Sequence, residues 1–245
     1  MRNKLSVVIP VFNEEKTLSE VVRKVLSAEI LSQTLEIIIV DDCSSDSTWE
    51  IAKDLKKNEP RIKIIRHKIN LGKGASLRTG FSESCGQIVL IQDGDLEYDP
   101  KDYPSLLKPI LEEKADVVYG SRFRSNQETR VLYFWHRIAN GILTLCSNMF
   151  TNLNLTDMET GYKVFRKDIL DKIVLQEDRF GIEPEITAKI AQLVGIRIYE
   201  IGISYSGRTY AEGKKIGLKD AFRAIYAIIK YGFFCGKHSK NNRNK

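Results

Sequence analysis

At 245 residues, with 42% hydrophobic and 29% charged side chains, the chain carries enough apolar material for a packed core, which excludes an intrinsically disordered protein. Its formal charge of +6 is partly an end effect, because Lys237 to Lys245 holds four positive charges and no acidic residue. Nucleic acid binding is therefore not called for, and the tail suits either solvation or an anionic membrane surface.

In chain order, Leu5 to Val11, Ile37 to Val40, Ile62 to Ile65, Ile88 to Ile91 and Val117 to Tyr119 are short β-branched runs, each followed by polar residues and a helical pattern. Such alternation predicts an α/β fold, a mostly parallel sheet with helices on both faces, in one domain over residues 1–236 with a basic tail at 237–245. Val131, Phe134, Trp135, Ile138, Ile142, Leu145 and Met149 form one stripe of a helix over Val131 to Phe150, expected to pack into the core, with Arg130 and Arg137 elsewhere on it. Gly181 to Glu185 leads into a helix ending near Val194. A strand from Ile196 to Ile203, a polar loop from Ser204 to Lys215 and an amphipathic helix from about Leu218 to Phe234 complete the order.

In that last helix Leu218, Phe222, Ile225, Ile229 and Phe233 share one face, and Lys219, Arg223 and Lys230 another. Docking on the domain, lying in a membrane interface and binding a membrane subunit all suit it. Arg223 and Lys230 interrupt the longest candidate for a membrane span, Phe222 to Cys235. Met1 to Lys4 shows no secretory signal, and Cys43, Cys85, Cys146 and Cys235 contain no Cys-x-x-Cys pair. A cytoplasmic protein with reduced thiols, possible also at the membrane face, is expected.

Ligands of open parallel sheets sit beyond the carboxyl ends of the strands. There the sequence places Asn13-Glu14-Glu15, then Asp41-Asp42-Cys43-Ser44-Ser45-Asp46, then Asp93-Gly94-Asp95. Asp46 also suits capping the helix that follows. Asp93 and Asp95, separated by one small residue, suit a hard divalent cation, Mg²⁺ or Mn²⁺, with Glu97 as a third ligand. Gly94 permits close approach of chain and ligand. Gly72-Lys73-Gly74 lacks the spacing of a nucleotide-triphosphate loop, which excludes an NTPase of that kind.

Val8-Ile9-Pro10-Val11-Phe12-Asn13-Glu14, Asp41 to Asp46, Leu71-Gly72-Lys73-Gly74 and Gln92-Asp93-Gly94-Asp95 occur in this order, followed by Gly120-Ser121-Arg122-Phe123, Thr160 to Arg166 and Arg208 to Lys214. Over about residues 5 to 234 the set resembles the inverting family 2 glycosyltransferases, most closely the dolichol-phosphate mannose synthase and polyprenyl-phosphate glycosyltransferase branch. The resemblance implies a GT-A type, Rossmann-like fold and a nucleotide-sugar donor. Pro10, Phe12, Glu14, Ile39 and Asp41 would form the nucleotide pocket, with Asp93, Gly94 and Asp95 at the diphosphate. Arg122, Arg208 and Lys214 would lie near donor or acceptor phosphates. Gly94, Phe12 and Cys43 depart from the alanine, tyrosine and small residue frequent in that branch. Gln127-Glu128-Thr129-Arg130 resembles part of the Gln-x-x-Arg-Trp motif of processive synthases, but Val131 replaces the tryptophan, so processive polymerisation is not expected.

The reaction implied is transfer of one hexose, from a GDP-mannose or UDP-glucose type of donor, to a polyprenyl or dolichyl phosphate with inversion. Transfer to a glycan or glycolipid hydroxyl would need a base, for which Asp157, Glu183 and Glu185 are placed. A catalytically silent nucleotide-sugar-binding subunit is the reading from another class, and the intact acidic pair speaks against it.

Overall fold

The first strand, β1 (Lys4–Val11), is buried on both faces, as expected of a β-branched run covered by helices on either side. Residues 4–124, 130–131, 133–208 and 222–232 are described by the structure, a computed structural model. Beyond β1 the chain forms α1 (Leu18–Ser27), β2 (Thr34–Asp41), α2 (Thr48–Asn58), β3 (Ile62–Arg66), α3 (Lys73–Glu83), β4 (Ile88–Ile91), α4 (Tyr103–Leu111) and β5 (Val117–Ser121). Then follow α5 (Phe134–Thr151), β6 (Lys163–Arg166), α6 (Lys167–Leu170), α7 (Ile182–Ala191) and β7 (Ile198–Gly202). A last helix, α8, covers residues 222–232.

The seven strands form one sheet in the order β3-β2-β1-β4-β6-β5-β7, and only β6 runs against the rest. Alternate residues of β1 divide between two cores. Leu5, Val7 and Ile9 meet Leu18, Val22 and Val25 of α1 and the apolar side of α4; Val8 faces Leu77 and Phe81 of α3. The expected parallel sheet with helices on both faces is thus present.

Three features depart from the expectation. β6 is an additional strand of four residues. Helix α7 begins at Ile182, not after Glu185, with Pro184 in its first turn, where a missing N–H leaves no helical hydrogen bond unmade.

The third departure is α5, whose apolar stripe does not enter the core. Trp135 is 74% exposed and Met149 75%, and Val131, Phe134, Ile142 and Leu145 are also exposed. The side facing inward instead carries the buried Thr144 and Ser147, with Leu143 and Cys146 packed on the second core. Helical period identifies residues that share a face and is silent about what that face meets. Among the described residues no helix is long and apolar enough to cross a membrane.

Candidate functional site

Six strands end at one edge of the sheet, and the reversed β6 begins there. This brings together the loops after β1, β2, β4, β5 and β7 with the approach to β6. Asn13 (φ 54°) and Cys43 (φ 62°) adopt left-handed backbone in the turns after β1 and β2, which accounts for the small residue expected at position 43. The Asn13 side chain receives the Ser45 N–H at 2.9 Å, stitching the two turns together. Phe12 is exposed and Pro10 half-buried at the rim. Ile39 does not line the cleft: strand alternation turns it fully into the first core.

The acidic turn after β2 divides its work. Asp41 is buried, lies 3.0 Å from Arg66 Nε and accepts from Ser44 N–H. Asp42 accepts the N–H groups of Leu71 (2.9 Å) and Gly72 (2.7 Å), fixing the entry to α3. Asp46 takes the Thr48 N–H at 3.0 Å, a contact at the start of α2. Gly72 (φ 106°) completes the entry, which delivers Lys73 into the cleft.

Lys73 is the site residue that sequence reasoning set aside. Its ammonium lies 2.8 Å from Asp93 and 3.2 Å from Glu183. Burial disfavours the charged lysine, but Asp93 and Glu183 outweigh it and hold the pKa above the ordinary lysine value. The glycine-flanked lysine was the available signal; its partners lie twenty and more residues away and become neighbours only in the fold. Glu183 also holds the wholly buried Lys163 at 2.6 Å.

Asp95 pairs with Arg208 at 2.6 Å, and the same guanidinium reaches Glu14 at 3.4 Å. Glu97 organises this arginine more than it faces Asp93: its carboxylate accepts the Arg208 N–H (2.7 Å) and the Tyr205 hydroxyl (2.9 Å). Among the described residues no three His, Cys, Asp or Glu converge as a cation cage. Lys214 lies outside the described residues. Burial, with Asp93 and Glu97 alongside, pushes the Asp95 carboxyl up to about 7.

On the other wall, Arg122 is clamped by Asp157 through paired bonds of 2.7 Å, and Asn140 of α5 accepts from the same guanidinium at 3.1 Å. Asp157 also accepts the Arg122 backbone N–H, so its buried carboxylate is fully engaged. Asp157→Ala would strand a largely buried guanidinium and is expected to lower stability by about 3 kcal/mol, measured by urea unfolding. Glu185 is not brought to the cleft; it receives the N–H groups of Gln176 and Glu177. Sequence reasoning also passed over Glu159, whose carboxyl is pushed up to about 7 by burial and by Glu183, and whose Oε1 is buried with no hydrogen-bond partner.

Around the cleft, Glu14, Asp93, Asp95, Glu97, Asp157, Glu159 and Glu183 face Lys73, Lys163, Arg122 and Arg208. Among the described residues carboxylates outnumber cations there, and burial first, with the neighbouring carboxylates second, raises the pKa values of Asp95 and Glu159. The Arg208 Nε is buried without a hydrogen-bond partner. Hard oxygen donors in excess, beside an arginine with an unused donor, fit a divalent cation carrying a phosphate group.

A family model described as Glycosyl transferase family 2 matches residues 6–174. An uncharacterised protein of Methanocaldococcus jannaschii is 28% identical over 240 residues, covering 95% of this chain and 94% of its own. A dolichol-phosphate mannosyltransferase of Pyrococcus furiosus is 28% identical over 232 residues, 93% of this chain and 64% of its own. An undecaprenyl-phosphate 4-deoxy-4-formamido-L-arabinose transferase of Proteus mirabilis is 30% identical over 220 residues, 89% of this chain and 64% of its own. The chain thus spans just under two thirds of the length of these two transferases. Glucosyl-3-phosphoglycerate synthase from Mycobacterium tuberculosis, solved with Mn²⁺, UDP-glucose and phosphoglyceric acid, superposes with a TM-score of 0.75 at 17% identity, covering 94% of this chain and 80% of that one. This likeness is one of fold, of the GT-A type. With the family model spanning most of its length, the chain belongs to glycosyl transferase family 2.

Proposed function

We propose that this chain transfers one hexose from a nucleoside-diphosphate sugar, of the GDP-mannose or UDP-glucose type, to a polyprenyl or dolichyl phosphate with inversion, working against the cytoplasmic face of a membrane. The observation that carries the reading is the carboxylate-rich cleft at the strand ends, with Asp93 and Asp95 each held by a cation, in a chain whose relatives include lipid-phosphate sugar transferases.

In this reading Pro10, Phe12, Glu14 and Asp41 border the nucleotide, and Asp93 and Asp95 hold Mg²⁺ or Mn²⁺ on the diphosphate. The bound cation would supply charge neutralisation to the departing nucleoside diphosphate. Lys73 orients Asp93, Glu97 orients Arg208, and Arg122, fixed by Asp157, offers a preorganised positive charge to a phosphate. A lipid phosphate is already ionised and needs no strong base. The reading is tested by incubating the protein with labelled nucleotide sugars and polyprenyl phosphate, with and without Mn²⁺, and extracting lipid. Absence of metal-dependent label in lipid with every donor overturns it.

Because the Asp95 carboxyl titrates at about 7, protons compete with the cation there. The affinity for Mn²⁺ is expected to be nearly flat above that pH and to fall by about tenfold per unit below it, as measured by calorimetric titration. A pH-independent affinity between 5 and 8 would remove Asp95 from the ligand set.

One observation favours the second reading, transfer to a hydroxyl: the Glu159 carboxyl, near 7 with one oxygen unpartnered, has the properties of a general base. Glu159→Gln separates the two. Activity on polyprenyl phosphate within about threefold of wild type is expected, whereas a loss of about a hundredfold or more would move the chemistry to a base-dependent acceptor.

A further inference from the structure

We propose that Glu183 is the receiving partner of Lys73: it takes over the lysine ammonium when Asp93 turns to a divalent cation, and so is a positioning residue of the donor site. The inference rests on the reading of Asp93 as a cation ligand and deepens it, by naming what makes that carboxylate available.

Lys73 stands between two carboxylates, 2.8 Å from Asp93 Oδ1 and 3.2 Å from Glu183 Oε1. The second contact is incomplete, because Glu183 Oε1 is buried and accepts no hydrogen bond among the described residues. A buried carboxylate oxygen in that condition costs free energy until a donor is directed at it. The Lys73 ammonium is near enough to become that donor and is engaged with Asp93 instead.

The main chain around Lys73 leaves the side chain as the moving part. The Asp178 carbonyl accepts the Ala75 N–H at 3.1 Å, and a Cβ on Gly74 would stand 2.2 Å from the Glu177 carbonyl oxygen. Gln176 and Glu177 are fixed in turn by Glu185, which lies with Glu183 in the first turn of α7. Against that pinned backbone, the flexible four-carbon stem of a lysine is free to redirect its ammonium.

Glu183 is built to receive it. Its Oε2 lies 2.6 Å from Lys163 Nζ, an ammonium wholly buried and accepted also by the Thr160 carbonyl. The start of a helix favours a negative charge at this place. Lys163 thus anchors one oxygen and leaves the other beside Lys73, so that charges alternate along Asp93, Lys73, Glu183 and Lys163. A divalent cation on Asp93 would face the ammonium across one carboxylate, in a largely buried site where like charges repel strongly. Passing Lys73 to Glu183 keeps each of these buried charges paired and returns to Asp93 the charge that a cation needs.

The test replaces the buried pair as a unit. Lys163→Met with Glu183→Met leaves the net charge unaltered and exchanges an ion pair for apolar side chains of similar size, which folds often tolerate. In calorimetric titration with Mn²⁺ alone, this variant is expected to bind about tenfold or more weakly than the wild type, because Lys73 is left with Asp93 as its partner. In a Lys73→Met background the same two substitutions should change Mn²⁺ affinity by less than about twofold, since the residue they act through is gone. Glu183→Gln, which keeps a neutral acceptor for both lysines, should give an intermediate loss, and it carries the same comparison if the paired variant does not fold. Asp93→Asn should itself weaken Mn²⁺ binding by about tenfold or more.

Equal losses with and without Lys73 would make the contribution of Glu183 one of packing and overturn the proposal. Wild-type affinity in both Glu183 variants overturns it as well. If Asp93→Asn also binds Mn²⁺ as the wild type does, the cation reading falls with it; a loss in Asp93→Asn alone leaves that reading standing.

Discussion

Asp95→Asn is expected to reduce sugar transfer by about a thousandfold or more while leaving the fold intact and, above neutral pH, raising the melting temperature. The two halves of this result come from one cause. In the folded chain the Asp95 carboxyl titrates at about 7, raised by burial and by Asp93 and Glu97. A raised acid contributes most to stability below its unfolded pKa and loses that contribution as pH rises through the folded one. At pH 8 the wild type thus carries an ionised group in an unfavourable setting, and asparagine does not. The difference in melting temperature should grow between about pH 4 and 8 and vanish in acid. Calorimetry across that range, paired with the lipid-extraction assay at saturating Mn²⁺, measures both. Full activity in the variant would take the metal role from Asp95; a lower melting temperature at pH 8 would mean that its pair with Arg208 dominates the site.

Gly161→Ala is the second large effect, and it acts on Asp93 from the opposite side. A Cβ at this position would stand 2.2 Å from Asp93 Oδ2 and 3.0 Å from the Tyr98 ring. The glycine is not held in left-handed backbone, so alanine adds only this collision. Tyr98 cannot yield: it is stacked on Tyr162 at 4.7 Å, and its hydroxyl receives the Gly161 N–H. The carboxylate must move instead, away from the position in which Lys73 holds it. A displacement of that order is expected to lower turnover by about a hundredfold, with a modest stability loss of about 1–3 kcal/mol. Gly141→Ala in α5, where a Cβ meets nothing within 4 Å, serves as the control and should leave turnover unchanged. Retained turnover in Gly161→Ala would show that the Asp93 carboxylate has freedom that the close contact denies.

The frame of the molecule was legible because runs such as Val7 to Ile9 and Ile37 to Val40 carry their burial in their composition. β6 was not, because Lys163-Val164-Phe165-Arg166 is too short to show alternation and begins with a lysine. That lysine is wholly buried because Glu183 of α7 and the Thr160 carbonyl meet its ammonium. The convergence of the loops bearing Asp41, Asp93 and Arg122 also followed from strand direction. Roles that depend on a partner did not. Lys73 resembled a fragment of a phosphate loop until Asp93 stood beside it, and Asp157 resembled a base until Arg122 was found to occupy it. Ile39 was misplaced because a strand's neighbours in a motif point to opposite faces. For α5 the period was correct and the inference from it was reversed, since an apolar stripe is equally well formed whether it meets a core or stays exposed.

The pair of Arg122 and Asp157 joins positions 35 apart along the chain. The described residues between them, α5 included, therefore form an excursion that leaves the cleft and returns to it, its neck held also by the Ser121–Thr156 and Asn140–Asp157 bonds, while Asp93, Asp95 and Lys73 lie outside that stretch of chain. Closing a flexible loop becomes only slowly more expensive as it lengthens. Among the described residues no strand lies between Arg122 and Asp157, so an insertion there is expected to lengthen the excursion without disturbing the register of the strands that carry Asp93 and Asp95 to the cleft.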